Sequence, residues 1–350
     1  MIRVLLAGAG AMGQAWLAAI HADPGVTLAG VADLDLAAAR RAAPGLPVGT
    51  DVAALAAETG ADAVIDVTVP QAHHPVTTAA LFAGLPVLGE KPVADTLARA
   101  LSLVAAAEVS GRLFMVSQSR RWNPQLFALR AMTGALGRVG SVSTDFHRAP
   151  RFAGFRETMA QPLLVDMAIH AFDAARFLLG GDPVTVSCQT WNPPWSWYAG
   201  DACAAAVFEM TGGARYVYHG SWCSPGAETS WNGEWRVSAE HGTARWDGDH
   251  DPHGPAVDAP DGRHSGIGGA LRVFAEALDS GVTPMGEVHG NVLSLAMVEA
   301  AVHSADRGRP VLIDDVLARA HEQAVREETR TDVREVLRSW TDVRMALGTT

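Results

Sequence analysis

A glycine-rich turn between an apolar strand and an apolar helix restricts the possible folds more than any other part of this sequence. The turn runs Gly-x-Gly-x-x-Gly from Gly8 to Gly13, and a second apolar strand ends at Asp33, 20 residues after Gly13. Glycines allow a tight turn, the approach of a pyrophosphate to backbone N–H groups and close packing of helix on strand. The acid can accept hydrogen bonds from a ribose diol. The spacing predicts a dinucleotide-binding βαβ unit rather than an ordinary turn.

The acid at the end of the second strand favours NAD over NADP. Asp33 repels a 2′-phosphate, and its neighbours Leu34 and Asp35 provide no cation. Arg40 and Arg41 lie about two helical turns further along, which leaves NADP as the weaker alternative. In this unit we expect the cofactor to contact Gly8, Gly10, Ala11, Met12, Gly13 and Asp33.

Residues beyond two later strands complete the expected cofactor site. Strands and helices continue to alternate, which predicts a parallel, doubly wound sheet. Ligands of such sheets bind beyond the carboxyl ends of the strands. The candidates there are Thr68, Pro70, His73, Glu90 and Lys91. For His73 and its neighbour His74, a place in a solvated loop is an equal alternative.

Lys91 is the only lysine among the 27 basic residues of the chain. A lysine ammonium is compact and can shift its pKa, whereas arginine stays charged and presents a planar fork. A single retained lysine therefore indicates a task that arginine cannot perform. Lys91 directly follows a short apolar strand, in the segment Gly89-Glu90-Lys91-Pro92. We interpret it as a catalytic and substrate-binding residue, with a chance surface lysine as the alternative.

A change in the strand and helix pattern indicates two domains. The regular alternation stops near Trp122, and strands separated by short turns dominate from Pro183 onward. Consecutive strands of this kind predict an antiparallel or mixed sheet. We therefore predict an α/β protein with a dinucleotide-binding domain over 1–122 and a second, substrate-binding α/β domain over 123–350.

A predicted helix over 163–179 carries Asp166, His170 and Asp173. Offsets of four and seven residues place all three on one helix face. Histidine titrates near neutral pH, and a carboxylate one turn away can orient it, so we favour acid–base chemistry. A solvent-facing polar stripe and a divalent metal site are the alternatives. No further histidine or cysteine stands at ligand spacing, and we expect no metal.

Aromatic and basic residues of the second domain are candidates for substrate binding. Flat indole rings suit the C–H faces of a sugar or cyclitol, and equally a core or a subunit interface. The segment from Trp191 to Tyr198 has the composition of a loop, and we predict a substrate lid there. The predicted substrate-binding residues are Lys91, Arg121, Trp122, Arg148, Asp166, His170, Asp173 and Trp195.

Charge and cysteine content exclude several classes of partner. A net charge of −11 argues against nucleic acid and anionic membranes, which require basic surfaces. The three cysteines form no Cys-x-x-Cys pair, which indicates reduced thiols and a cytoplasmic protein. No apolar run reaches the roughly 18 residues of a membrane span. The histidines of residues 247–264, among them His264, fit a solvated loop better than a metal site.

Taken together, these motifs resemble the glucose–fructose oxidoreductase/inositol dehydrogenase/MocA (Gfo/Idh/MocA) family. The resemblance implies a Rossmann domain followed by an α/β domain with a large, mostly antiparallel open sheet, whose face forms homodimer or homotetramer contacts. It also implies that the catalytic residues meet at the nicotinamide and that the peptide bond after the lysine is cis, as in some relatives. The motifs that carry it are the glycine-rich turn, Asp33, Thr68-x-Pro70 with His73, Glu90-Lys91-Pro92 and Asp166-x₃-His170-x₂-Asp173.

The activity predicted from this resemblance is NAD-dependent oxidation of a secondary alcohol of a sugar, sugar derivative or cyclitol, or reduction of the matching ketone. His170 exchanges the hydroxyl proton, Asp166 orients His170, and Lys91 stabilises the developing alkoxide, or Lys91 and His170 exchange these roles. The approach Ala160-Gln161-Pro162 and the Trp-rich loop depart from the family pattern, which leaves the substrate open. One alternative is a redox-neutral enzyme that cleaves or eliminates a glycosidic bond. Another is a non-catalytic NAD-binding regulator.

Overall fold

The computed structural model describes residues 1–258 and 265–348 of the chain, so His264 in the predicted loop 247–264 lies outside the described residues. The chain divides into two compact units. The first comprises Met1–Ser119 and the described parts of His264–Val292 and Ala318–Thr350. The second comprises the described parts of Arg120–Arg263 together with Leu293–Leu317.

The first unit contains a six-stranded parallel sheet with strand order β3-β2-β1-β4-β5-β6. This is the doubly wound order of dinucleotide-binding folds. Its strands are β1 (Ile2–Ala7), β2 (Val26–Ala32), β3 (Val48–Gly49), β4 (Ala63–Asp66), β5 (Val87–Glu90) and β6 (Phe114–Ser117). The connecting helices are α1 (Ala11–Ala22), α2 (Leu36–Ala42), α3 (Val52–Thr59), α4 (Pro70–Phe82) and α5 (Leu97–Ser110). All residues of β4, β5 and β6 are buried, which explains their continuous apolar runs.

The second unit contains a seven-stranded mixed sheet, in which β7 and β10 pair in parallel and the other pairs are antiparallel. This confirms the predicted large, mostly antiparallel sheet, whose strand order is β12-β11-β7-β10-β9-β8-β13. Its α-helices and strands before residue 259 are α6 (Pro124–Ala135), β7 (Val139–His147), α7 (Ile169–Leu179), β8 (Pro183–Trp191), β9 (Cys203–Met210), β10 (Arg215–Ser221), β11 (Glu234–Ala239) and β12 (Gly242–Trp246).

The remaining elements are distributed over the two units. They are α8 (Gly266–Ser280), α9 (Val288–Arg307), β13 (Val311–Leu312), α10 (Ile313–Glu327), α11 (Thr331–Ser339) and α12 (Val343–Ala346). The helix α11 packs on α5 of the first unit. One division between the units falls between Ser119 and Arg120, and the C-terminal helices α11 and α12, which the predicted domain 123–350 contains, belong to the first unit. Buried polar contacts hold them there, such as the hydrogen bond between Ser102 and Glu328.

Local capping explains several helix ends. Asn123 accepts a hydrogen bond from the backbone N–H of Gln125 at 2.9 Å, and Pro124 is the first residue of α6, as its missing N–H allows. Asp95 and Thr96, which directly precede α5, are both of residue types that cap helices. Thr96 caps this helix, and Asp95 instead forms an ion pair with Arg99 at 2.7 Å.

Candidate active site

The glycine-rich turn leaves the first amide groups of α1 available to an anion. Gly10 precedes the helix without a side-chain cap, and a Cβ atom at this position would meet no heavy atom within 4 Å. Gly8 has a φ angle of 106°, and a Cβ atom on Gly13 would lie 2.3 Å from the carbonyl oxygen of Gly8. Glycine is therefore required at both positions, and the uncapped helix N-terminus suits a pyrophosphate.

Asp33 connects the end of β2 to this turn. Its Oδ2 atom accepts a hydrogen bond from the backbone N–H of Ala9 at 2.7 Å, and its Oδ1 atom accepts one from Asp35 at 2.8 Å. The carboxylate is thus held beside the glycine-rich turn, where a ribose diol would lie. Arg41 lies 3.9 Å from Asp35, and both of these side chains are exposed. The residues of this corner fit the dinucleotide that the sequence predicts.

His73 joins two loops at the carboxyl edge of the sheet. One ring nitrogen lies 2.7 Å from the carbonyl oxygen of Pro92, and the other lies 3.1 Å from the carbonyl oxygen of Thr68. The side chain is 2% exposed and belongs to α4, so its alternative place in a solvated loop is wrong. Both nitrogens are engaged by backbone carbonyls, and His73 therefore acts by fixing the loops around Thr68 and Lys91.

Asp66 holds the loop around Thr68 through side-chain hydrogen bonds. This buried carboxyl group accepts hydrogen bonds from the hydroxyl groups of Thr68 at 2.6 Å and Thr77 at 2.9 Å. Burial raises its pKa, with the charge of the nearby His73 acting in the opposite direction. Pro70 begins α4, where its lack of an N–H group has no cost.

Glu90 fixes the backbone of the only lysine. Its carboxyl group is 8% exposed and accepts hydrogen bonds from the indole N–H of Trp16 at 2.9 Å and the backbone N–H of Lys91 at 3.1 Å. Burial raises the pKa of Glu90, and the Trp16 hydrogen bond and the charge of Lys91 oppose that rise. Lys91 directly follows β5, half-buried, and the Lys91–Pro92 bond is cis, as the family resemblance implied.

In the second unit, Asp166 lies on a π-helical turn. The predicted helix over 163–179 is divided into a π-turn, Leu163–Ala168, and α7, which ends at the left-handed Gly180. Such turns widen the helix by one residue and are frequent at functional sites. The Oδ2 atom of Asp166 accepts a hydrogen bond from Nε of Arg156 at 2.7 Å. The spacing argument assumed a regular helix and could not include this pairing.

His170 lies one turn further along and lines a cavity of the second unit. The cavity is small: the space inside it that a water molecule can enter is about 20 Å³, and the wider region that includes its opening to solvent is about 340 Å³. Its other polar lining residues are Arg120, Tyr218 and Asn232, while Phe146, Met167 and Trp235 are among the apolar ones. A histidine in a polar corner of a largely apolar cavity can hold or release a proton to a bound hydroxyl group.

Asp173 does not share this environment. It is 2% exposed and accepts two hydrogen bonds from Arg121, at 2.8 and 2.5 Å. Ser294 donates a further hydrogen bond to it at 2.8 Å. The bidentate pair uses both carboxylate oxygens of Asp173 and two of the three guanidinium nitrogens of Arg121, which favours a structural role for the pair over the predicted substrate contact.

The family comparison agrees with this architecture. Residues 2–118 match the model of the oxidoreductase family with an NAD-binding Rossmann fold, Gfo/Idh/MocA. Residues 130–245 match the model of the Gfo/Idh/MocA C-terminal domain. The chain belongs to the Gfo/Idh/MocA oxidoreductases.

Individual members of the Gfo/Idh/MocA family show how far the similarity extends. Inositol 2-dehydrogenase 4 of Saccharopolyspora erythraea is 36% identical over 54% of this chain and 57% of its own length. D-apiose dehydrogenase of Paraburkholderia graminis is 28% identical over 77% of this chain and 78% of its own length. The fold is shared with an oxidoreductase from Agrobacterium radiobacter, solved with NAD⁺, L-tartaric acid and magnesium. Its TM-score is 0.81 at 23% identity, over 90% of this chain and 99% of that one.

Three further predicted substrate residues occupy different surroundings in this Gfo/Idh/MocA chain. Trp122 is 6% exposed and stacks on Phe127, which is a core position. Trp195 is 62% exposed, and its indole N–H donates to the carbonyl oxygen of Cys223 at 3.0 Å. Arg148 forms an ion pair with Glu228 at 3.1 Å. The part of Trp195 in a lid stays a prediction.

Sequence reasoning missed two arginines of the site. Arg156 pairs with Asp166, and Arg120 lines the His170 cavity. Arg120 stands beside Arg121, and only Arg121 was among the predicted substrate-binding residues. Arg156 lies before the π-turn in the chain, and no spacing rule connects it with Asp166.

Among the described helices, none is both long enough and apolar enough to cross a membrane.

Proposed function

We propose that this oxidoreductase transfers a hydride between NAD and a secondary alcohol or ketone of a sugar, sugar derivative or cyclitol. The observation that carries the proposal is the position of His170 in a cavity of the second unit, beside the π-turn that holds Asp166. The names of the inositol 2-dehydrogenase and D-apiose dehydrogenase relatives support a polyol substrate.

Each proposed catalytic residue has one task. His170 accepts the proton of the reacting hydroxyl group, and Asp166, held by Arg156, orients His170 or a neighbouring hydroxyl group. Lys91, as the ammonium, stabilises the negative charge that develops on the substrate oxygen. Bound NAD supplies the hydride acceptor. The assignment of Lys91 to the same reaction follows from the family pattern, and an exchange of roles between Lys91 and His170 remains the alternative.

The glycine-rich turn, Asp33 and the Thr68 loop hold the cofactor in this proposal. The uncapped N-terminus of α1 binds the pyrophosphate, and Asp33 binds the adenosine ribose diol, which selects NAD over NADP. Glu90 and His73 support this site indirectly, because their hydrogen bonds fix the loops that carry Lys91 and Thr68.

Two competing functions use the same fold. A redox-neutral enzyme would oxidise its substrate transiently, cleave a glycosidic bond and regenerate NAD, whereas a regulator would bind NAD without chemistry. A regulator has no need for Lys91, Asp166 and His170 together. We further propose a cytoplasmic enzyme that forms a homodimer or homotetramer.

Absorbance of the reduced nicotinamide tests these functions directly. The enzyme is incubated with NAD or NADP and a panel of sugars and cyclitols, beside Lys91→Ala, His170→Ala and the exposed-site control His250→Ala. We expect reduction of NAD with one substrate class in the wild type and the control, and none in the other two variants. Consumption of glycosides without reduced NAD supports the redox-neutral enzyme, and binding without any turnover supports the regulator.

A further inference from the structure

Arg120 is a partly buried cation without an acidic partner among the described residues. It stands in the short turn Ser119–Trp122 at the start of the second unit. Its closest polar contact is the sulfur of Met167, 3.9 Å from a guanidinium nitrogen, and no described carboxylate forms an ion pair with it. Loss of solvent lowers the pKa of Arg120 to about 10, so it remains charged at neutral pH. A buried charge of this kind requires a compensating partner.

A second donor beside Arg120 also lacks a partner. The hydroxyl group of Tyr218 is buried and has no hydrogen-bond acceptor within the described part of the chain. Tyr218 and Arg120 line the same cavity as His170. Native proteins rarely leave a buried donor of this kind unsatisfied without a functional reason.

A second arginine increases the positive charge of this corner. The guanidinium groups of Arg120 and Arg148 lie 6.0 and 4.5 Å from the centre of the Trp231 ring. Arg148 forms an ion pair with Glu228 at 3.1 Å, whereas Arg120 has no such counter-charge among the described residues. The two cations repel each other, and an anion beside Arg120 removes both that repulsion and the cost of burying its charge.

We propose that Arg120, assisted by the Tyr218 hydroxyl group, binds an anionic group of the substrate beside His170. The substrate is then an acidic sugar or cyclitol whose carboxylate or phosphate is held by Arg120 while a nearby hydroxyl group reacts. This inference rests on the proposed function and narrows its substrate class. The planar fork of arginine favours bidentate binding of a carboxylate or a phosphate.

Binding to the complex of enzyme and NADH tests the site without requiring turnover. The probes are D-glucuronate, D-glucose 6-phosphate and neutral D-glucose, and calorimetry or the shift of the melting temperature reports their binding. We expect at least one charged probe to bind at least tenfold more tightly than glucose, with the carboxylate and phosphate arms identifying which anion is preferred. Equal binding of all three probes would overturn the proposal.

Variants locate the effect at Arg120. Arg120→Met removes the charge, and Arg130→Met is a matched control, because Arg130 lies 4.3 Å from the Phe177 ring in the same unit. We expect the preference for the charged probe to fall at least tenfold in Arg120→Met and to stay unchanged in Arg130→Met. Arg120→Lys retains the charge, and we expect this variant to keep part of the preference for the charged probe. It provides the test at this position if Arg120→Met does not fold. Full preference in a folded Arg120→Met would contradict the proposal.

The result can be separated from the proposed dehydrogenase function. Reduction of NAD by neutral polyols, with no preference for charged probes, supports the dehydrogenase and refutes the anion site. Binding of a charged probe that depends on Arg120, with no reduction of NAD by any polyol, supports the site and refutes the dehydrogenase.

Discussion

The buried carboxyl group of Glu90 accepts a hydrogen bond from the indole N–H of Trp16 at 2.9 Å. Trp16 belongs to α1, whose N-terminus is the proposed pyrophosphate site, and Glu90 ends the strand that precedes Lys91. One hydrogen bond therefore connects the helix that would hold the cofactor with the backbone that carries the proposed catalytic lysine.

Glu90→Gln should remove a pH-dependent contribution to stability. Burial raises the pKa of Glu90 above its ordinary value of 4.5, so the folded state binds this proton more tightly than the unfolded state. The resulting stabilisation is present below pH 4.5 and is lost as the pH rises through the raised pKa. We expect urea unfolding between about pH 4 and pH 8 to show a smaller loss of stability in Glu90→Gln than in the wild type. The exposed-site control Glu58→Gln should retain the wild-type pH profile.

Lys91→Arg should lose nearly as much activity as Lys91→Ala. The larger planar guanidinium cannot occupy the position of a compact ammonium, and removal of one charge-stabilising donor lowers kcat by about 10²–10³-fold. Initial rates of NAD reduction measure the effect, with NADH fluorescence to show that cofactor binding is retained. Activity above about a tenth of wild type in Lys91→Arg would contradict a task specific to lysine.

Asp33→Asn should weaken NADH binding and reduce the preference for NAD over NADP. The variant lacks the carboxylate charge that would accept the hydrogen bonds of the ribose diol, so we expect the Kd of NADH to rise about tenfold. The variant also no longer repels the 2′-phosphate of NADPH. Fluorescence titration with NADH and NADPH measures both effects. Asp62→Asn is the matched control, because Asp62 also accepts a backbone N–H, from Arg3 at 2.8 Å. An unchanged ratio of the two affinities in Asp33→Asn would exclude Asp33 from cofactor selection.

Asp173→Asn should destabilise the second unit and leave substrate affinity intact. It breaks the buried bidentate pair with Arg121, and loss of one partner in such a pair costs about 3–5 kcal/mol. Urea unfolding measures the change, and Glu240→Gln, which breaks the exposed pair with Arg138, should have no measurable effect. An Asp173→Asn variant that keeps wild-type stability but has a raised KM would indicate that Asp173 contacts the substrate.

Local signals predicted the first unit well because its motifs are contiguous. The turn from Gly8 to Gly13 and Asp33 follow from backbone geometry and spacing within a single βαβ unit, and the structure has the predicted strands on both sides. Helix caps were harder where two candidates were adjacent. Thr96 rather than Asp95 caps α5, because the carboxylate of Asp95 forms an ion pair with Arg99 one turn away.

Long-range pairings explain most of what the sequence did not predict. The Asp166–Arg156 pair depends on the π-turn, and hydrophobic periodicity does not distinguish a π-turn from an α-helix. The position of α11 on α5 depends on residues more than 200 positions apart, such as Ser102 and Glu328.

The discontinuous course of the first unit determines when it can be completed during synthesis. A ribosome releases the chain from the N-terminus, so the parallel sheet up to Ser117 emerges while α8 and α11 have not yet been translated. The surface of α5 that α11 covers stays exposed to water throughout translation of the second unit. The first unit therefore gains all its native contacts only after every residue of the second unit has been synthesised.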